Sequence, residues 1–290
     1  MLTIHAPAKI NLILEVLGKY DDNYHRICSI IQAINLSDTL NFELAEEISF
    51  KCNEPGLKRN NLVVKAATLL KKATKYGKGT RIELCKRIPW GVGLGGGSSD
   101  AAATLLTLNR LWELRLPVSE LVYLASKLGS DAPFFIYGGT ALVEGKGGKI
   151  TSLPPPPQVW FVLLVPPLPK MPDKTKQLYN KLDVSHFTEG QLVRAALPSL
   201  MQGKMIDSSL MFNAFGKVAF DVFPELNEYK RKFKEAGASS VYLAGSGPCL
   251  FTFVPEEEKA NELCFHLRRQ RLECYVASSP SKASPLKAQA

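Results

Sequence analysis

Between Pro89 and Thr104 the chain reads PWGVGLGGGSSDAAAT. Five glycines (Gly91, Gly93, Gly95, Gly96, Gly97) lead into Ser98 and Ser99, then into an alanine-rich helix. Glycine admits positive φ and lets a ligand come close to the main chain. A helix opening at Ser98 or Ser99 aims its free N–H groups and its positive dipole end at whatever the loop holds, which makes a site for phosphate. No Gly-Lys-Ser/Thr closes the loop, so it is not a Walker A motif. Its spacing, and the lack of an acid for a ribose, also separate it from the dinucleotide fingerprint. The competing reading is a surface linker capped by serine.

Other residues could do chemistry. PAKINL (Pro7–Leu12) puts Lys9 in a short turn between apolar strands, where a buried lysine needs a partner. Asn11 in the same stretch could close a local backbone turn. LAGSGPCLF (Leu243–Phe251) carries Gly245, Ser246 and Gly247 as a hinge between apolar strands. Asp131, in Gly129-Ser130-Asp131-Ala132-Pro133, reads equally as a turn aspartate or as a general base. Thr175 and Tyr179 lie four apart and share one face of a helix.

The elements that must position these residues follow from hydrophobic periodicity. Strands are predicted at Leu2–Ile4 and Leu12–Leu17 around the Pro7–Lys9 turn, then at Ile27–Ile34 and Thr39–Leu44. Asn60 or Asn61 caps a helix with apolar positions 62, 63, 66, 69, 70 and 73. A strand through Ile82 and Leu84 feeds the glycine loop. Helices are expected at 98–112 and 118–128, and strands at 140–144 and 148–153. Pro154–Pro157 interrupt everything and mark a domain boundary. Beyond them come strand 159–165, helices 173–182, 188–202 and 224–236, strand 240–244, turn 245–247, strand 249–254, helix 256–270 and strand 272–277. Strands and helices cluster instead of alternating, which argues α+β with domains at 1–153 and 158–278 and a disordered tail at 279–290.

The 290 residues are 46% hydrophobic with net charge +9, an ordinary globular composition. The longest apolar run, Val159–Val165, is of strand length, so no membrane span is expected, and no signal or transit peptide is visible. Six cysteines without C-x-x-C, and four scattered histidines, point to reduced thiols in a cytoplasm and to no zinc site. Residues 51–87 hold eleven basic side chains against Glu54 and Glu83. Such a segment can gather polyanions, but most of it, Lys71, Lys72 and Lys75 above all, reads as a solvated helix face. Tyr76 is its only aromatic, so nucleic acid is not the expected partner.

In this order, PAKINL, GLGGGSS and LAGSGPCLF resemble the three motifs of the GHMP small-molecule kinases. The likeness covers nearly the whole chain. With the three consecutive glycines, Tyr24-His25 and LGSDAPFF, it is greatest to the branch acting on a cytidine-diphosphate-linked methylerythritol in non-mevalonate isoprenoid biosynthesis. The resemblance implies a two-domain fold, an N-terminal domain like ribosomal protein S5 domain 2 and a ferredoxin-like C-terminal domain. It implies ATP as co-substrate with Mg2+, no assigned metal ligands, a tertiary 2-hydroxyl as acceptor, and a monomer or homodimer. Asp131 would be the base and Lys9 its partner. Gly91, Gly93, Gly95, Gly96, Gly97, Ser98 and Ser99 would hold ATP phosphates, and Asn61 and Lys86 the adenine. Asn11, Thr175 and the Gly245–Gly247 turn would contact the acceptor. Tyr24 and His25 would form the cytosine site, with Tyr179 as the second slice of a sandwich. Two departures stand out: Asp22-Asn23-Tyr24-His25 where the family has Asp-Gly-Tyr-His, and Asn213-Ala214-Phe215 where it has Asn-Asp-Leu. The alternatives are a sister kinase for mevalonate or homoserine, and a non-catalytic RNA-binding protein with an S5-like domain.

Overall fold

The computed structural model describes residues 1–57 and 61–280. Lys58, Arg59 and Asn60, and the tail from 281, lie outside the described residues. The first of two sheets contains β1 (Leu2–Lys19), β2 (His25–Ala45), β3 (Ser49–Cys52), β4 (Gly79–Cys85), β5 (Thr140–Gly145) and β6 (Lys149–Leu153). The four short N-terminal strands expected from the sequence are two long ones. Pro7–Lys9 is not a turn but a bulge inside β1, where the register against β2 shifts between Pro7 and Ala8. A bulge absorbs the kink, and proline is tolerated there because it has no ladder donor to lose. β2 is shared on its other edge by β4, against Thr39–Ala45, and β5, against Ile27–Gln32.

Four helices cover this sheet: α1 (Leu62–Thr74), α2 (Gly96–Leu111), α3 (Val118–Ser126) and α4 (Ala132–Tyr137). Ala101, Ala102 and Ala103 of α2 are fully buried. Their small side chains favour helix and let it sit close to β1 and β2.

After the prolines, β7 (Trp160–Val165), α5 (Lys174–Asn180) and α6 (Gln191–Met201) lead to β8 (Phe212–Asn213), α7 (Phe215–Val222) and α8 (Leu226–Glu235). Then follow β9 (Tyr242–Leu243), β10 (Leu250–Val254), α9 (Glu257–Arg269) and β11 (Glu273–Ser278). The second sheet is antiparallel in the order β11-β7-β10-β9. That order is the split βαβ arrangement of a ferredoxin-like unit. The sequence reading missed β3, β8, α4 and α7, all short.

The segment after the prolines is not self-contained. β8 pairs in parallel with β1 at Ile13 and Leu14. The fully buried Glu15 of β1 accepts hydrogen bonds from Leu192 N (3.3 Å) and Val193 N (2.9 Å) at the start of α6. One core mixes Ile10, Leu12 and Ile30 with Phe161, Val193 and Phe251. Ser279, expected in the tail, is instead anchored: its N donates to Val159 O and its hydroxyl accepts from Val159 N. Among the described residues no helix is long and apolar enough to cross a membrane.

Candidate active site

The three sequence motifs meet. Lys9 N donates to Leu94 O at 3.0 Å and Cys249 N to Val92 O at 3.2 Å, so the glycine loop is tied by its main chain to both β1 and the third motif. A methyl group on Gly93 would fall well inside contact with the Ala244 carbonyl oxygen. One on Gly245 would meet Gly93 O at 2.8 Å and Lys9 Nζ at 3.2 Å. Glycine at these two positions permits the approach. The junction opens into a cleft of about 1180 Å³, whose lining includes Lys9, Asn11, Tyr24, Asn61, Gly91, Gly93–Ser98, Asp131, Thr175 and Ser246.

The loop takes positive φ at Gly91 (80°), Gly93 (96°) and Gly95 (73°). Gly95, left-handed, caps α2, which starts at Gly96, two residues before the predicted opening. The first α-helical bond of α2 is Ser99 N to Gly95 O, so the amides of Gly96, Gly97 and Ser98 stay outside the ladder at the cleft. Ser98 lines the cleft. Ser99 does not: its side chain is fully buried, and its hydroxyl meets no partner, which corrects the expectation that it helps hold phosphate.

Lys86 and Asn61 line the cleft and also have structural partners. Lys86 Nζ, under the loop, binds Asp38 and, at 2.9 Å, Asp100. Its main-chain N and O are both taken by the Asn53 side chain. Its side chain and main chain are thus engaged in holding the base of the loop. Asn61 accepts from Val63 N (2.9 Å) and donates to Leu57 O (2.9 Å), an N-cap of α1 at the cleft wall. Trp90, Leu57 and Leu62, which the sequence reading passed over, form the apolar lining at this end.

The two acids on Lys86 differ. Asp38 also accepts from Arg87 N (2.6 Å) and Ile88 N (2.9 Å), whereas Asp100 has one donor and an Oδ1 with no partner. Burial pushes the Asp100 carboxyl up to about 7, against the pull of the Lys86 ammonium. A raised carboxyl stabilises the fold below its unfolded value and loses that contribution as pH rises through the folded one. The melting temperature of Asp100→Asn relative to the parent should therefore climb as pH goes from 4 through 7. A gap that stays flat over that range would refute the assignment. Asp38→Asn, which breaks a buried charge network, should cost about 3–5 kcal/mol.

Asp131 precedes α4 but makes no side-chain cap hydrogen bond. Its Oδ2 instead lies 3.4 Å from Lys9 Nζ, with the carboxylate 40% exposed to the cleft and the lysine side chain 5% exposed. Lys9 Nζ also donates to Asn11 Oδ1 at 2.7 Å. Asn11 Nδ2 donates to Ser29 Oγ at 2.9 Å, and Ser29 Oγ to Ile13 O at 2.6 Å. A buried chain of polar groups thus aims the lysine at the acid. Asn11 orients Lys9 instead of closing a turn.

Across the cleft, Thr175 Oγ1 and Ser246 Oγ are 2.9 Å apart. His25 is buried, with Nε2 lacking a partner, and burial lowers its pKa, which favours neutral imidazole. Its ring stacks on Tyr179 (4.6 Å, 27°), and Phe215 packs T-shaped on Tyr179. Tyr179 is thus not a free second slice of a sandwich; it backs the imidazole. Burial, then the negative charge of Asp131, pushes its phenol up. Tyr24 is 58% exposed, with Lys146 Nζ 5.1 Å from its ring centroid and paired to Asp22. Asn23 adopts φ 63°, so asparagine serves where the resemblance has glycine. Asn213 donates to Leu243 O (2.9 Å) and Gly245 O (2.8 Å), holding the third-motif turn. Only its tertiary partners, thirty residues on, show that role.

Among the described residues no three His, Cys, Asp or Glu side chains gather as a metal cage. The model of the GHMP kinases N terminal domain matches residues 61–139, and that of the GHMP kinases C terminal matches 196–272. A 4-diphosphocytidyl-2-C-methyl-D-erythritol kinase of Dehalococcoides mccartyi is 43% identical over 96% of this chain and 98% of its own length. The crystal structure of a 4-(cytidine 5'-diphospho)-2C-methyl-D-erythritol kinase superposes with a TM-score of 0.80 at 33% identity, covering 95% of this chain and 98% of that one. Homoserine kinase from Cytophaga hutchinsonii shares the fold, with a TM-score of 0.75 at 17% identity over 99% and 97% of the two chains. The mixed α/β fold of two units expected from the motifs is the one observed, and the chain belongs to the GHMP kinase family, within the group of 4-diphosphocytidyl-2-C-methyl-D-erythritol kinases.

Proposed function

We propose that this chain transfers the γ-phosphoryl group of ATP to the 2-hydroxyl of 4-diphosphocytidyl-2-C-methyl-D-erythritol, giving the 2-phosphate and ADP, in a cytosol. One observation carries the reading: an exposed carboxylate, a buried ammonium 3.4 Å away and a row of helix-start amides all face one cleft. The amides of Gly96, Gly97 and Ser98 and the glycine turns before them hold the triphosphate. Trp90, Leu57 and Leu62 give its base an apolar wall. Mg2+ would accompany the ATP phosphates and neutralise their charge, held mostly by phosphate oxygens and water. Asp131 takes the acceptor's hydroxyl proton as oxygen attacks phosphorus and the bond to the ADP oxygen breaks. Lys9 attracts the alkoxide that forms. Little covalent help is needed, because phosphoryl transfer is governed by positioning and charge.

Tyr24 offers an open ring face to cytosine, and the unpartnered His25 Nε2 offers its edge a hydrogen bond. Assay of the purified chain with ATP and a panel of the cytidine acceptor, mevalonate and homoserine tests the reading. Turnover should appear on the cytidine acceptor; turnover of mevalonate or homoserine alone, or salt-sensitive RNA binding without turnover, would refute it. Tyr24→Ala should raise KM for the cytidine acceptor by about tenfold or more, the range of one base–aromatic stack, and leave KM for ATP unchanged. Equal loss on both would mean that the two sites are assigned the wrong way round.

A further inference from the structure

One cation in the cleft has no part in the mechanism above. Lys9, Lys86 and Lys174 are the buried lysines among the described residues. The first two hold carboxylates. Lys174, at the start of α5 and 8% exposed, does not: among the described residues its Nζ donates only to the Ser246 carbonyl, at 3.2 Å. An ammonium has three donors to satisfy, and burying it against one neutral carbonyl costs free energy that an anion would relieve. Burial, then the charge of Lys9, lowers its pKa to about 8. It stands where α5, the Gly245–Gly247 turn and the glycine loop come together. It lines the cleft and also a neighbouring hollow of about 700 Å³ behind Trp90 and Gly91.

We propose that Lys174 contacts the γ-phosphoryl group of ATP and sets a second positive charge, opposite Lys9, on that group as it moves to the acceptor. The inference rests on the kinase reading given above. Ser246, its carbonyl partner, belongs to the turn that packs on Gly93, so the ammonium lies beside the loop that holds the triphosphate. An ammonium is a point charge suited to phosphate oxygens, and the charge of the transferring group is spread over the equatorial ones. The position is costly for the empty protein and useful only when polyanion arrives.

Two variants, Lys174→Met and Lys174→Arg, test this in the full-length protein. Calorimetric affinities for ADP and for the non-hydrolysable β,γ-imido analogue of ATP are compared, each with Mg2+, and thermal unfolding is followed without ligand. Lys174→Met should lose about tenfold or more in affinity for the triphosphate, as expected for a charged hydrogen bond, and keep its affinity for ADP. Lys174→Arg should keep the preference for triphosphate. Unliganded Lys174→Met should melt no lower than the parent, because an uncompensated buried charge has been removed. Equal losses on ADP and triphosphate with a lower melting temperature would make Lys174 a scaffold residue and overturn the proposal. A loss confined to KM for the cytidine acceptor would overturn it by placing the charge on the acceptor's diphosphate. A parent that binds neither nucleotide would overturn the kinase reading as well, whereas a parent that binds both and a Met variant that matches it would overturn this inference alone.

Discussion

Asp131→Asn should lower kcat by about 10²–10⁴-fold, the span of a positioned general base, while affinity for ATP is unchanged. The carboxylate carries no cap hydrogen bond, so its loss removes no local structural support. Its ion-pair partner is Lys9, and that ammonium keeps Asn11 as a partner at 2.7 Å. A fall in kcat with unchanged melting temperature and nucleotide binding is therefore the signature of a group acting on the acceptor's proton. Asp131→Asn with parental turnover would remove Asp131 from the mechanism. If turnover and ATP affinity fell together, the acid would act in nucleotide binding.

Gly93→Ala should show the opposite pattern. Gly93 has φ 96°, where an L side chain is strained, and its methyl would collide with the Ala244 carbonyl. Strain of that kind costs about 1–3 kcal/mol before the collision is counted. To relieve it the loop must leave the third-motif turn, breaking the Cys249 N–Val92 O bond and moving the helix-start amides proposed to hold the triphosphate. The expected result is a melting temperature lowered by about 2–4 °C for each kcal/mol lost, together with a large loss of ATP affinity. Gly91→Ala is the control: its φ is also positive, at 80°, but no atom lies within 4 Å of an added methyl. It should show the backbone strain alone. Gly93→Ala with the melting temperature and ATP KM of Gly91→Ala would refute the close-contact argument.

These two residues were legible in the sequence for different reasons. The glycine loop is written in residue type, because positive φ and close approach are properties of glycine itself. Its helix was misplaced by two residues because a left-handed Gly95, and not a serine, caps it. Asp131 needed the family resemblance: local sequence could not separate a base from a turn aspartate, and the absence of a cap bond and the presence of Lys9 support the proposed base. The Asn61 cap was legible as a capping residue before an apolar periodic run, whereas the partners of Lys86 are invisible in the sequence. Asp38 lies 48 residues from Lys86, and no periodicity reports such a pair. Tyr179 lines the cleft, but its stacking on His25 joins two segments far apart in sequence and could not be read from either. The long strands were divided because proline and polar residues inside β1 imitate turn signals, when they mark a bulge and the Lys9–Asn11 pair.

The return of β8 to β1 has a consequence for biosynthesis. As the polypeptide leaves the ribosome, the first sheet can form once Leu153 has emerged. Yet β1 then keeps an unpaired edge beside Ile13 and Leu14, and Ile10 and Leu12 wait for Phe161, Val193 and Phe251 to cover them. An unpaired edge over exposed apolar residues invites association between nascent chains. Translation pausing between the proline run and Phe212 should therefore raise the insoluble fraction, and the two halves made as separate polypeptides should become soluble only when produced together.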